Sequence, residues 1–137
     1  MNILFIRPDT PDETIGLQHV MIVEPLELEI LATLIEKEHN VEIVDLILEK
    51  QSLSFFVEKY NPDVVCFTGY ITHSNSIKNL CKELKKINPN ITTIVGGVHF
   101  EKVPESVDCE FVDYRVVRNA VDVFPKLIHY LDRKSVV

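Results

Sequence analysis

Ile91-Thr92-Thr93-Ile94-Val95-Gly96-Gly97-Val98-His99 is the stretch on which the fold turns. A β-branched apolar run that stops at two glycines reads as a buried strand with bare backbone at its carboxyl end. A bulky group can then approach the main chain closely. Asp63-Val64-Val65-Cys66-Phe67, stopped by Thr68-Gly69-Tyr70, makes a second such end. Either one alone reads as a tight turn into a helix. The two together predict a crevice.

On either side of these runs the chain alternates strand and helix. Asn2 to Ile6 is a short apolar strand, and Pro25 opens a helical stripe of Leu28, Leu31, Ala32 and Ile35 ending near His39-Asn40. Val41 to Val44 alternates like a half-buried strand. Leu53, Phe56, Val57 and Tyr60 fall on one helical face, stopped by Asn61-Pro62. Ile77, Leu80, Cys81, Leu84 and Ile87 form the next, stopped by Asn88-Pro89. After the two glycines, the segment from His99 to Val107 contains Pro104 and can hold only a turn or two of helix. Phe111 to Val117 alternates as a fifth strand. Val121, Phe124, Ile128 and Leu131 form the last helical face, with Pro125 placing its first turn near Asp122 to Phe124.

Such alternation is the signature of an α/β domain with a parallel sheet covered on both faces. The first, third and fourth strands are apolar throughout, as strands buried on both faces are. The second carries Glu42 and the fifth carries Asp113 and Arg115, which edge strands tolerate. With right-handed crossovers this predicts the order 2-1-3-4-5, a doubly wound, flavodoxin-like (Rossmann-like) five-stranded sheet. Its switch point lies between the first and third strands, where a ligand binds outside the strand ends. The loop from Arg7 to Glu24 leaves that point with no periodicity but with apolar Ile15, Leu17 and Val20 to Val23. It reads as a loop folded over a ligand. One domain over residues 1–132 is expected, with 133–137 a tail or the start of a linker.

Composition narrows the partners. The chain has 137 residues, 46% hydrophobic and 26% charged, with a net charge of −7. No basic face is available for double-stranded nucleic acid. No apolar stretch reaches membrane-spanning length and no signal peptide is visible, so the chain reads as cytoplasmic. Of its three cysteines, Cys66 and Cys81 read as buried small hydrophobes, and none of the three, Cys109 included, forms a close-spaced pair.

Residue chemistry then tests the crevice's occupants. A dinucleotide or flavin mononucleotide needs a glycine-rich phosphate cradle after the first strand. That loop has only Gly16 and carries Asp9, Asp12 and Glu13. A phospho-acceptor site fails because the third strand ends in Thr68-Gly69 rather than an aspartate. His19, His73 and His99 fall at one edge, but without the short-range spacing of a zinc site, and no metal site is read. Ser74 and Ser76 open a helix, where serine caps, and no nucleophile elbow is present. No catalytic residue is assigned.

Several stretches resemble the cobalamin-binding domain found at the amino end of cobalamin-dependent radical SAM enzymes. They are Arg7-Pro8 after the first strand, Gly16-Leu17-Gln18-His19 ahead of Glu24-Pro25-Leu26, and Thr68-Gly69-Tyr70-Ile71-Thr72-His73. Val95 to His99 and Tyr114-Arg115-Val116-Val117-Arg118 complete the resemblance, which covers about residues 2 to 132. It implies a cobalamin (vitamin B12) site, with Arg7, Pro8, Ile15 and Gly16 under or beside the ring. The nucleotide tail would run past Thr68, Gly69, Gly96 and Gly97, with Thr68 and Thr72 hydroxyls bonding the tail and amides. Tyr70, Val98, His99, Val117, Arg118 and Asn119 complete the implied contact set.

This sequence departs from related patterns in two places. The D-x-H-x-x-G motif that supplies a cobalt-binding histidine in methionine-synthase-like domains is missing, which implies a base-off corrinoid without a histidine ligand. Asn119-Ala120 stands where relatives carry glycines, which supports an alternative, a degenerate interaction or small-ligand module without cobalamin. The C-x3-C-x2-C hallmark of radical SAM chemistry cannot be built from these cysteines. S-adenosylmethionine and a 4Fe-4S cluster would therefore belong to a partner radical SAM catalytic domain, such as a methyltransferase, in the same or another chain. The isolated domain is expected to perform no turnover.

Overall fold

The structure is a computed structural model that describes residues 1–12 and 21–135. Its strands are β1 (Asn2–Arg7), β2 (Asn40–Asp45), β3 (Val64–Thr68), β4 (Thr92–Gly96) and β5 (Tyr114–Val116). They form one parallel sheet in the order β2-β1-β3-β4-β5, as predicted. The helices are α1 (Leu26–Thr33), α2 (Leu53–Tyr60), α3 (Ser74–Ile87), α4 (Val98–Lys102) and α5 (Ala120–Ser135). Short 3-10 turns cover Ile71–His73 and Pro104–Val107.

Strand alternation divides the core between two faces. Leu4, Ile6, Val65, Phe67 and Val95 pack against Phe56 of α2 and Ile77, Cys81 and Leu84 of α3. Ile3, Phe5, Val64, Cys66 and Ile94 pack on the opposite face against Leu28 of α1 and Phe124 and Ile128 of α5. Cys66 and Cys81 are both buried. Burial pushes both thiols up, Cys81 to about 12, so both stay neutral.

Helix ends follow local chemistry. At the start of α2, the Ser52 side chain accepts from the Phe55 amide. The helix stops at left-handed Asn61 before Pro62. The predicted ends of α1, α5 and β5 need correction. Helix α1 ends at Thr33 rather than near His39, although Ile35 remains buried. The Thr33 hydroxyl donates to the Ile30 carbonyl, and Leu34 and Ile35 bond back three residues, so the stripe continues as turns. Helix α5 begins at Ala120, with Pro125 inside it rather than in its first turn. Asn119 sets that start, its carbonyl accepting from the Asp122 and Val123 amides. Strand β5 is three residues long rather than the seven from Phe111 to Val117, because the residues before it bond to Thr93 and Lys85 side chains. Among the described residues, no helix is long and apolar enough to cross a membrane.

Candidate functional site

Two cavities meet at the carboxyl edge of β1, β3 and β4, where strand order reverses. The first, about 180 Å³, lies between the sheet and helices α1 and α5. Phe5, Cys66 and Ile94 form its sheet wall, Leu28 and Leu31 come from α1, and Phe124 comes from α5. The second, about 320 Å³, lies on the side of the loop after β1 and is lined by Arg7, Pro8, Ile47, Thr72 and His73. Thr68, Gly69, Tyr70 and Glu27 line both and form the ridge between them.

The glycines at the strand ends have different jobs. Gly97 has φ +129, and a Cβ there would lie 2.6 Å from the Gly69 carbonyl oxygen and 3.2 Å from Thr68 Oγ1. Its bareness serves first to seat β4's exit against β3's exit, not only to leave room for a ligand. A Cβ at Gly96 would meet only Val116, at 3.6 Å or beyond. At Gly69 it would strike His73 Cβ at 2.8 Å. All three glycines line the first cavity, and exposed Val98 stands at its mouth.

Both cavities are mainly apolar, and the second sets the polar side chains of Arg7, Thr10, Thr72 and His73 beside apolar Met21, Ile22, Val23 and Ile47. Thr68 is buried, and its hydroxyl makes no hydrogen bond to another described residue. Arg7 does not offer a free charge. Its Nε donates to Asp45 Oδ1 at 3.0 Å, its Nη2 pairs with Asp45 Oδ2, and its Nη1 donates to the Val23 carbonyl at 2.6 Å. Asp45 also accepts from the Ile47 amide at 3.0 Å. The pair therefore clamps the returning limb of the first loop to the end of β2. His73 Nδ1 accepts from the Tyr70 amide at 3.0 Å while the His73 amide donates to the Tyr70 carbonyl at 2.9 Å. Burial, with help from the Arg7 guanidinium, holds the His73 pKa below its ordinary value.

Other residues implied by the resemblance lie apart. His99 lines neither cavity, and its Nε2 is shielded without a hydrogen-bond partner. Val117, Arg118 and Asn119 also stand outside both linings. Asn119 takes φ 43, a left-handed backbone that asparagine tolerates, and its side-chain amide donates to Asp122. Ile15, Gly16 and His19 lie outside the described residues. Among the described residues, no group of three or more His, Cys, Asp or Glu could hold a metal ion.

Much of the first cavity went unread in the sequence. Phe5, Leu28, Leu31, Cys66, Ile94 and Phe124 read there only as core positions, since their convergence depends on α1 and α5 packing side by side. In the sequence His73 reads as a possible zinc ligand and as the end of the Thr68 to His73 stretch, with no role in closing the loop. Its three-residue spacing from Tyr70, one 3-10 turn, is the available signal for the loop-closing bond.

The profile of the B12 binding domain matches residues 14–128. The chain belongs to that family. As a B12-binding domain it is 29% identical over 114 residues to an uncharacterized methyltransferase of Pyrococcus horikoshii, covering 80% of this chain and 25% of that protein. It thus spans about a quarter of that curated relative. The crystal structure of a cobalamin-binding protein from Desulfitobacterium hafniense superposes with TM-score 0.60 at 16% identity, covering 94% of this chain and 58% of that one. That likeness establishes the shared flavodoxin-like fold.

Proposed function

We propose that this domain holds cobalamin at the carboxyl edge of β1, β3 and β4, with the tail's aromatic base in the first cavity and the ring over the second. One observation carries the reading: an apolar cavity opens at the switch point onto a larger one that adds hydroxyls and an imidazole to an apolar lining, across a ridge of Thr68, Gly69 and Tyr70. A flat base suits the apolar side, and amide fringes suit hydroxyls and exposed loop backbone. Thr68, with no bond to another described residue, and exposed Thr72 are the hydroxyls within reach of such groups. The Arg7–Asp45 clamp supports the ring side by fixing Val23 rather than by touching the ring.

The corrinoid is held base-off, without a histidine ligand. His73 is the histidine lining the described cavities, and because it accepts at Nδ1, its neutral ring carries the proton on Nε2. It presents a donor rather than a lone pair. His99 Nε2 is shielded away from both cavities. Bound there, cobalamin supplies methyl-carrying cobalt chemistry to a radical SAM catalytic domain, which itself holds S-adenosylmethionine and the 4Fe-4S cluster. The relative described as an uncharacterized methyltransferase supports the methyl-transfer part of this reading.

The competing reading, a module without cobalamin, rested on Asn119-Ala120. Asn119 adopts the left-handed backbone itself, and neither it nor Ala120 lines either cavity, so the missing glycines stand away from the proposed cofactor contacts. The test is retention of corrinoid absorbance after the protein is mixed with hydroxocobalamin and desalted. The paramagnetic resonance spectrum of the cobalt(II) form should lack protein nitrogen splitting. No retention would overturn the site. Splitting that disappears in His19→Ala would overturn the ligand assignment alone.

A further inference from the structure

The first cavity is walled by core side chains of the sheet and of helices α1 and α5. The Phe5 and Phe124 rings stand 5.5 Å apart in its wall, beside Cys66 and Ile94. Backbone groups behind that wall belong to the sheet ladder, with Phe5 registered on Cys66 and Cys66 on Ile94. The buried Cys66 thiol is neutral. Polar groups reach only the mouth, where Glu27 and Tyr70 are exposed, Thr68 begins the ridge and the backbone of Gly69, Gly96 and Gly97 is bare. At about 180 Å³ the cavity is larger than an apolar cavity of roughly 150 Å³ that takes up benzene. A single- or double-ring aromatic group is therefore the right scale.

We propose that this cavity selects corrinoids whose tails end in an apolar aromatic base, a benzimidazole or a phenol, and discriminates against tails ending in adenine. The inference rests on the reading of the first cavity as the tail site. Adenine carries an exocyclic amine and ring nitrogens that are hydrogen-bonded to water in the free corrinoid. Seated between Phe5, Ile94 and Phe124, away from the backbone at the mouth, they would lose those bonds and gain none from these side chains. An unpaired buried polar group of this kind weakens binding about tenfold or more. The two methyl groups of the cobalamin base, by contrast, enter a surface that matches them.

The experiment titrates the wild-type protein with four corrinoids, following absorbance: cobalamin, a phenol-tailed corrinoid, the adenine-tailed corrinoid, and cobinamide, which has no nucleotide tail. A tail coordinated to its own cobalt cannot enter the cavity, so each apparent affinity is corrected for the free corrinoid's tail-detached fraction, read from its absorbance. The expected order is cobalamin and the phenol form within about fivefold, with the adenine form and cobinamide each at least tenfold weaker. Leu31→Asn, which puts an amide on the half-buried α1 wall, should narrow the gap between adenine and benzimidazole forms. Equal affinity for those two forms overturns the selectivity while leaving the domain a cobalamin binder. A phenol form as weak as the adenine form overturns it too, because shape rather than polarity would then decide. Cobinamide as tight as cobalamin shows that the tail is not seated there. Failure of all four to bind overturns the cobalamin site itself.

Discussion

Gly97 and Gly96 are neighbours in sequence with opposite tolerance for a side chain. Gly97→Ala would put a Cβ 2.6 Å from the Gly69 carbonyl in a backbone conformation that side chains rarely adopt. The two effects together should cost about 2–4 kcal/mol of stability. Gly96→Ala meets Val116 at ordinary contact distance and should cost under about 1 kcal/mol. Urea midpoints of the two variants decide this, and equal midpoints would sink it. Gly97→Val accordingly weakens cobalamin retention chiefly by displacing the end of β3, whereas a larger side chain at Gly96 tests filling of the cavity itself. The Arg7–Asp45 pair yields a second residue-level expectation. Both side chains are largely buried, so Asp45→Ala strands a guanidinium and should destabilise by roughly 2–4 kcal/mol. It should also release Val23, read as faster proteolysis in the first loop. A variant with unchanged cleavage would show that the clamp does not hold that loop.

Among the elements, β5 is the least self-sufficient. Its three residues pair with β4 alone, and side chains replace the ladder before it. Asp113 accepts from the Thr93 amide at 2.7 Å, and from the Thr93 hydroxyl and Lys85 Nζ. Burial works to raise the Asp113 pKa, but these bonds outweigh it and leave the carboxyl below its ordinary value. A group depressed in the folded state stabilises above its unfolded pKa, about 4, and loses that contribution as pH falls through the folded value. Thermal midpoints of wild type and Asp113→Asn should therefore differ at pH 7 and converge below about pH 4. A constant difference would show that the carboxylate's charge is irrelevant there.

These same elements mark what a linear reading can reach. Strand order was legible because burial on both faces leaves apolar runs in β1, β3 and β4, while Glu42 and Arg115 betray the edges. The shortening of β5 was not, because the alternation from Phe111 onward is the same whether Asp113 faces solvent or bonds Thr93. The strand ends that carry Gly69 and Gly97 were legible as a crevice. The reason for Gly97 was not, since it is the backbone of a strand distant in sequence.

At the scale of the whole molecule, the domain exposes its site on one side. Tyr70 and Val98 at the cavity mouths are 64% and 68% exposed, and Met21 and Val23 on the first loop are exposed as well. Apolar side chains left open around the cavity mouths suit a covering surface, the place that the proposed partner domain would take. Methyl transfer also requires a second substrate positioned beside the cobalt with water kept away. The two joined cavities are taken up by tail and ring in the proposed arrangement, so the domain's own residues do not position that substrate. The isolated chain loaded with reduced cobalamin, given a methyl donor and an acceptor, should therefore form no more than one product per domain. Addition of the partner domain should start repeated turnover. Repeated cycling by the isolated chain, abolished by Thr68→Val or Tyr70→Ala, would instead make this domain an enzyme in its own right, with its acceptor held against the exposed mouth.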